Sequence, residues 1–361
     1  MTGAGWAVAT LAVLHLAGAG ALPKEVTTAE VAPYAIGQPI RLLTSRGSDF
    51  QSDRVDEIPL ESYVAGVVAA EMPRHFPLEA MKAQAIAART YALFHLGDHA
   101  PEGADLCGEV HCQAYHGVPA EGALAWRAAQ ETAGQVLVYH GVLIDAQYSA
   151  ACSGHTVAAW ETRQGKLLPY LCGTEDRADE SAYCAASHEV TWRKRLSYAQ
   201  AQRLVSRNLT TVLGDPRVVP GKPLSLHVAE RSGNRVRWFD VKTTTGTYRV
   251  MGDAVRWLFG TGRPGPSGLR STRFDLKVRT DRKGRPRSFL FVGAGHGHGI
   301  GMCQWGARGR ALAGQTGEEI LGAYYPGTEV YDLRGECERR GEEAIGDEAT
   351  MPSGDSATSQ P

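Results

Sequence analysis

LESYVAGVVAAEMPRHFPLEAMKAQAIAARTYALF, residues 60–94, decides the fold, because it holds two helices joined by a short Met-Pro turn. Behind Pro59, which suits a first helical position, Leu60, Tyr63, Val64, Val67 and Val68 recur at helical spacing. The Ala-rich run that follows predicts a second helix from near Pro77 to about His95. Glu71 falls eleven residues after Leu60, which on a helix returns it to within ~20° of the same face. A carboxylic acid that continues an apolar face, at the negative end of its helix, is desolvated and favours its protonated form. A general acid needs that property. The alternative is that Glu71 sits on a frayed end and points to water. On the next helix Lys82 and Arg89 share a face and could offer two cations to a substrate or to Glu71. They could equally form a solvated face, with Glu79 and Lys82 as a pair.

Outward from this pair, residues 25–48 read as short β-like runs ending in the polar turn Ser45-Arg46-Gly47-Ser48. Towards the C-terminus, residues 98–120 form a Cys/His-bearing loop, 123–132 a helix and 136–148 strands about His140-Gly141. A helix is expected over 192–213, then an antiparallel unit over 225–292, a Gly-dense segment at 293–309 and a helix over 318–325 stopped by Pro326-Gly327. The fold class expected is α+β, with a helical N-terminal half and a β-rich antiparallel C-terminal half enclosing a groove. The divisions are 1–23, 24–190, 191–335 and an acidic, disordered tail at 336–361.

The chain has 361 residues, and 38 Lys and Arg stand against 39 Asp and Glu. With no basic field to hold a phosphate backbone, nucleic acid is excluded as the expected partner. The nearly uncharged stretch 1–23 ends in small residues like a cleavage site and reads as a signal peptide, which predicts an extracytoplasmic location: periplasm, cell wall or secreted. The seven cysteines, an odd number, leave at least one without an intrachain partner. Cys172 and Cys184 frame an acidic loop and are the preferred disulfide pair.

LESYVAGVVAAEMP and EAMKAQAIAARTYAL closely resemble the SpoIID/LytB family of cell-wall proteins. QYSAACSGHT (147–156), PYL (169–171), GHGHGIGMCQWGARGRALAG (295–314) and ILGAYYPGT (320–328) are similar to that family's later motifs, in the family's order, so the resemblance covers roughly 38–332. It implies a lytic transglycosylase acting on peptide-free glycan strands, with Glu71 catalytic. Lys82, Gln84 and Arg89 would orient sugar or stabilise Glu71, and Tyr148, His298 and Gln304 would line the groove. The alternative reading makes Tyr148 a core ring and His298 a brace for a Gly-rich turn. One carboxylate suffices because the sugar's own C6 hydroxyl closes an anhydro ring, whereas ordinary glycosidases use two. The alternative from another class is a non-catalytic LytB-like amidase enhancer that binds cell wall or a partner amidase.

DLCGEVHCQAYHG gathers Cys107, His111, Cys112 and His116, residue types that zinc prefers. The resemblance implies zinc at a matching loop in some members, with a further His upstream, for which His99 or His95 is nearest. Against zinc stands a Cys107–Cys112 disulfide. His296 and His298 form a weaker metal pair, since no carboxylate lies at metal-site spacing, and Cys303 lacks an identifiable base that would make it a nucleophile.

Overall fold

The computed structural model describes residues 24–45, 53–109, 111–120, 123–162, 165–187, 191–262 and 267–335. The expected signal peptide, most of the Ser45–Ser48 turn, Cys337 and the expected acidic tail lie outside the described residues. Helix α1 (Thr28–Ala35) leads into β1 (Ile40–Ser45) and β2 (Arg54–Ile58), then α2 (Leu60–Glu71) and α3 (Leu78–Phe94). After β3 (Leu106–Cys107) come α4 (Leu124–Glu131), β4 (Gln135–Tyr139), β5 (Val142–Leu143) and β6 (Tyr148–Ser149). The fold is mixed α+β, as expected.

Helix α3 organises this half. Its small side chains let other elements approach on every side, and it packs against α2, α4 and β4. Ala85, Ala88 and Ala92 face one core with Tyr63, Val64 and Phe76, while Ala80, Ala83 and Ala87 face a second with Leu137, Ile144 and Tyr170. Both sets follow the i, i+3, i+4 rule, so one helix serves two cores.

Two short strands, β7 (Arg177–Ala178) and β8 (Ser181–Ala182), precede an inserted unit. That unit holds β9 (Thr191–Ser197), α5 (Tyr198–Leu213), β10 (Pro223–Ser232), β11 (Arg235–Thr243), β12 (Thr247–Met251), α6 (Gly252–Leu258), β13 (Phe274–Thr280) and β14 (Pro286–Ala294). Its sheets run β10-β11-β12 and β13-β14-β9, all antiparallel. A separate core forms around Phe239, Phe259, Phe274 and Phe291.

The chain then returns. β15 (Met302–Cys303) lies parallel to β6, α7 (Gln304–Leu312) and α8 (Gly317–Tyr324) pack on α3, and β16 (Glu329–Asp332) pairs with β4. Residues 300–325 therefore share the second core with α3, not the core of the β-rich unit with which the division at 191–335 had grouped them.

Besides α6, a helix inside the run read as antiparallel strands, three stretches differ from expectation. Residues 191–197 form a strand where a helix is predicted: TWRKRLS buries Trp192 and Leu196 at even spacing and pairs with β14. Helix α1 replaces β-like runs, begun by a Thr27/Glu30 capping box. The third is α7, whose Gly306 and Gly309 depress helix propensity but are required by packing. A Cβ on Gly306 would meet the Tyr324 hydroxyl at 2.1 Å, and one on Gly309 the Tyr183 carbonyl at 2.2 Å.

Candidate functional site around Glu71

Glu71 ends α2 and is half-buried, with Met72 already extended behind it. Two neutral donors hold its carboxylate: Ala114 N–H donates to Oε1 at 3.2 Å and Gln304 Nε2 donates to Oε2 at 3.1 Å. The 113–117 loop reaches Glu71 because Gly66 leaves space for it; a Cβ there would lie 2.3 Å from the Tyr115 ring, which stacks on Tyr63. Burial raises the Glu71 pKa above the ordinary glutamate value, and the hydrogen bonds from Gln304 and Ala114 and the nearby charge of His116 only partly oppose it. Desolvation wins because, among the described residues, no Lys or Arg pairs with Glu71.

The two cations of α3 are turned elsewhere. Lys82 lies between Glu79 (3.0 Å) and Glu131 (2.7 Å). Arg89 is fully buried, donating to both oxygens of Glu61 and to the carbonyls of Gln135 and Ala129. Neither pairs with Glu71 in this arrangement. Arg89 instead ties α2 to α3 and to the loop after α4, a contact that Gly134 N–H completes on Glu61 at 3.2 Å.

Gln84, Gln304 and Tyr148 do converge on the carboxylate. Gln304 Nε2 also donates to Gln84 Oε1 at 3.3 Å, and Gln84 Nε2 is a buried donor without a partner. The Tyr148 hydroxyl accepts from Gln113 Nε2 at 2.8 Å; burial, with the Glu71 charge, holds its pKa well above the ordinary tyrosine value. Tyr63 donates to Gln113 Oε1 at 3.0 Å, fixing that amide. His298 lines a small cavity with Glu161, Arg235 and Asp253, accepts from Ile300 N–H at 3.1 Å and is hydrogen-bonded to the backbone of Tyr148. Burial, with Arg256 and Arg235, depresses its pKa to about 4, so it is neutral near neutral pH.

Several neighbours escaped the sequence reading. Trp305 follows Gln304 and meets Phe76 edge-on at 5.0 Å, with His75 at 6.4 Å and the Arg308 guanidinium at 5.5 Å. A Trp beside a motif Gln, and aromatics just after Glu-Met-Pro, were the signals available. Gln113 and the Ala114 N–H were hidden inside the Cys/His segment.

His99, Cys107, His111 and Cys112 do come together, with all four ligand atoms within 4.8 Å of one another. His99 Nε2 lies 3.2 Å from His111 Nδ1, which is 3.5 Å from Cys112 Sγ and 4.0 Å from Cys107 Sγ. Both cysteines are free thiols. His95 is engaged instead by Asp98 and Asp145, at 2.7 and 3.1 Å. Cys172 is an exposed free thiol, and Cys184 lies not with it but 3.9 Å from Cys152, so the preferred Cys172–Cys184 disulfide is not formed.

Residues 48–139 match the family model of the Stage II sporulation protein SpoIID, and residues 172–301 match a domain of unknown function, DUF8618. An uncharacterized protein of Brachyspira hyodysenteriae is 31% identical, over 77% of this chain and 68% of its own length. The amidase enhancer of Bacillus subtilis is 29% identical over 73% of this chain, which spans only 39% of that protein. Stage II sporulation protein D of Bacillus subtilis is 29% identical over 76% of this chain and 75% of its own. The chain belongs to the SpoIID/LytB family and has a role in the cell wall at the level of that family.

Proposed function

We propose that the protein is an exported lytic transglycosylase that cleaves peptidoglycan glycan strands, most readily peptide-free ones, leaving 1,6-anhydro-N-acetylmuramic acid ends. The observation carrying this is Glu71: a half-buried carboxyl with a raised pKa, held by two neutral donors and, among the described residues, paired with no Lys or Arg. Protonated, it gives its proton to the glycosidic oxygen leaving the muramic acid anomeric carbon. As carboxylate it then accepts the proton of that sugar's C6 hydroxyl, which closes the anhydro ring. A single group passing from acid to base needs a pKa above the ordinary carboxylate value; burial shifts Glu71 in that direction, and a neighbouring Lys or Arg would oppose the shift. Gln304 and Gln84 orient the carboxyl, Tyr148 and Gln113 border it, and Trp305 with His75 offers an apolar face to a sugar ring.

His99, Cys107, His111 and Cys112 fit a zinc ion. Bonds of about 2.0–2.3 Å put tetrahedral ligand atoms about 3.3–3.8 Å apart, close to the spacings found. Four protein ligands leave no open position, so zinc there would brace the loop that carries Ala114. Elemental analysis near zero in both reducing and non-reducing preparations would remove zinc from the proposal.

The relative named amidase enhancer favours a second reading, in which the cleft binds wall polymer or a partner amidase and cleaves nothing. Incubating the chain with peptide-free glycan strands separates the two by mass spectrometry. Anhydro-ended fragments are expected, and Glu71→Gln should lower their rate by about a hundredfold or more while leaving circular dichroism unchanged. Reducing-end products would indicate a hydrolase; no cleavage, with stimulation of an added amidase, would establish the enhancer.

A further inference from the structure

Next to Gln304 in the chain lies a second cluster that Glu71 chemistry does not use. Cys152, Asp176, Cys184 and Cys303 bring three sulfurs and a carboxylate oxygen within 4.8 Å of one another, each residue at most 1% exposed. They come from four separate places: the turn after β6, the residue before β7, the short helical turn at Tyr183–Ala186, and the end of β15. We propose that this cluster is a structural site for a divalent, thiophilic metal ion, zinc by its ligand chemistry, which fastens the segment carrying Gln304 to the rest of the core.

The spacing suits an ion better than a bond between sulfurs. Cys152 Sγ lies 3.9 Å from Cys184 Sγ and 3.1 Å from Asp176 Oδ2. A disulfide needs about 2.0 Å, whereas tetrahedral zinc–thiolate ligation places sulfurs about 3.8 Å apart. A disulfide would also strand the third sulfur and the carboxylate in the core.

The surroundings resemble those of ligated thiolates. Gly154 N–H donates to Cys152 Sγ at 3.3 Å through a turn in which Ser153 takes φ +65°, and Cys152 N–H donates to Cys303 Sγ at 3.2 Å. Gly306 N–H, at the start of α7, donates to the same Cys303 sulfur at 3.2 Å. Asp176 is fixed through its other oxygen, Oδ1, which accepts from Tyr324 at 2.6 Å and from Arg310 Nε at 3.2 Å, leaving Oδ2 aimed at the sulfurs. Such outer partners orient metal ligands. Charge agrees as well: a divalent ion cancels half of the charge of three thiolates and a carboxylate. Arg310, and the buried guanidinium of Arg235, which donates to the Cys152 carbonyl at 2.9 Å, offset the remainder.

The consequence reaches Glu71 through one peptide bond. Cys303 is followed by Gln304, whose amide holds the Glu71 carboxyl, so the ion sets the position of that donor without touching substrate.

The site is tested by metal content, independently of whether the chain cleaves glycan. The wild-type chain, purified with zinc present and weighed by native mass spectrometry, should hold about two zinc ions, one per cluster. Cys107→Ser with Cys112→Ser should leave about one. In that background, cobalt in place of zinc should give intense thiolate charge-transfer absorption, which Cys184→Ser should abolish and Asp176→Asn should shift. Should the double variant not fold, Cys184→Ser alone should drop the wild-type count by one. A folded double variant that binds no metal would overturn the site, as would an unchanged count in Cys184→Ser. Peptide mapping that finds Cys152 in a disulfide with Cys184 or Cys303 would do the same.

Discussion

The pKa of Glu71 reflects a balance that single side chains can tip. Burial raises it, and the Gln304 amide is the largest opposing influence. Gln304→Leu removes a donor that favours the carboxylate, so the pKa should climb further. Because the first step needs the protonated acid, cleavage falls as pH rises through that pKa, and the alkaline limb of the pH–rate profile should move to higher pH in the variant. A limb that stays in place or moves down would separate Gln304 from the Glu71 proton. Linkage gives a second consequence. A carboxyl whose folded pKa exceeds its unfolded value contributes stability at low pH that is lost as pH rises through the folded pKa. Glu71→Gln should therefore lack one component of the wild type's decline in denaturant midpoint on that rise. The place of Glu71 on its helix was legible because periodicity alone puts it on the apolar face. Its true partners were not, because Gln304 and Ala114 lie far along the chain and only tertiary packing brings them in.

At the scale of elements, spacing on α3 placed Lys82 and Arg89 on one face and offered the Glu79–Lys82 pair that forms, but could not name Glu131 or Glu61, which lie on other helices. Arg89 found Glu61 on α2, and Lys82 found Glu79 and Glu131. Arg89 is thereby a tie between helices, and removing one partner of a buried ion pair costs about 3 kcal/mol or more. Arg89→Met should lower the urea midpoint by a corresponding amount while leaving the alkaline limb of the pH–rate profile where it was; a shifted limb with unchanged stability would return Arg89 to the site. Elements with strong propensity, α2, α3 and α8, were legible to within a residue or two. Those lost had weak local signals: the alternation in TWRKRLS was absorbed into the following helix, and the glycines of α7 concealed a helix that exists because Tyr324 and Tyr183 press against it.

The whole molecule is a discontinuous domain with an insertion, and no local pattern announces that the chain will leave a core and come back to it. Residues 300–325 complete the core around α3, while 192–291 enclose a core of their own. Thr191 and Ala294, at the two ends of the insertion, are cross-strand partners, so the inserted unit starts and finishes at one place. About a hundred residues with a closed apolar interior bury enough surface to fold independently. Expressed alone, the 191–294 segment should therefore unfold cooperatively in urea, with the Trp192 environment and backbone circular dichroism reporting one midpoint. It will be less stable than in the full chain, since Arg235 and Arg273 lose the carbonyls of Cys152 and Ser153 that they bond across the boundary. A non-cooperative, denaturant-insensitive fluorescence signal from that segment would mean that the two cores fold as one, and that damage to the inserted sheet must reach Glu71.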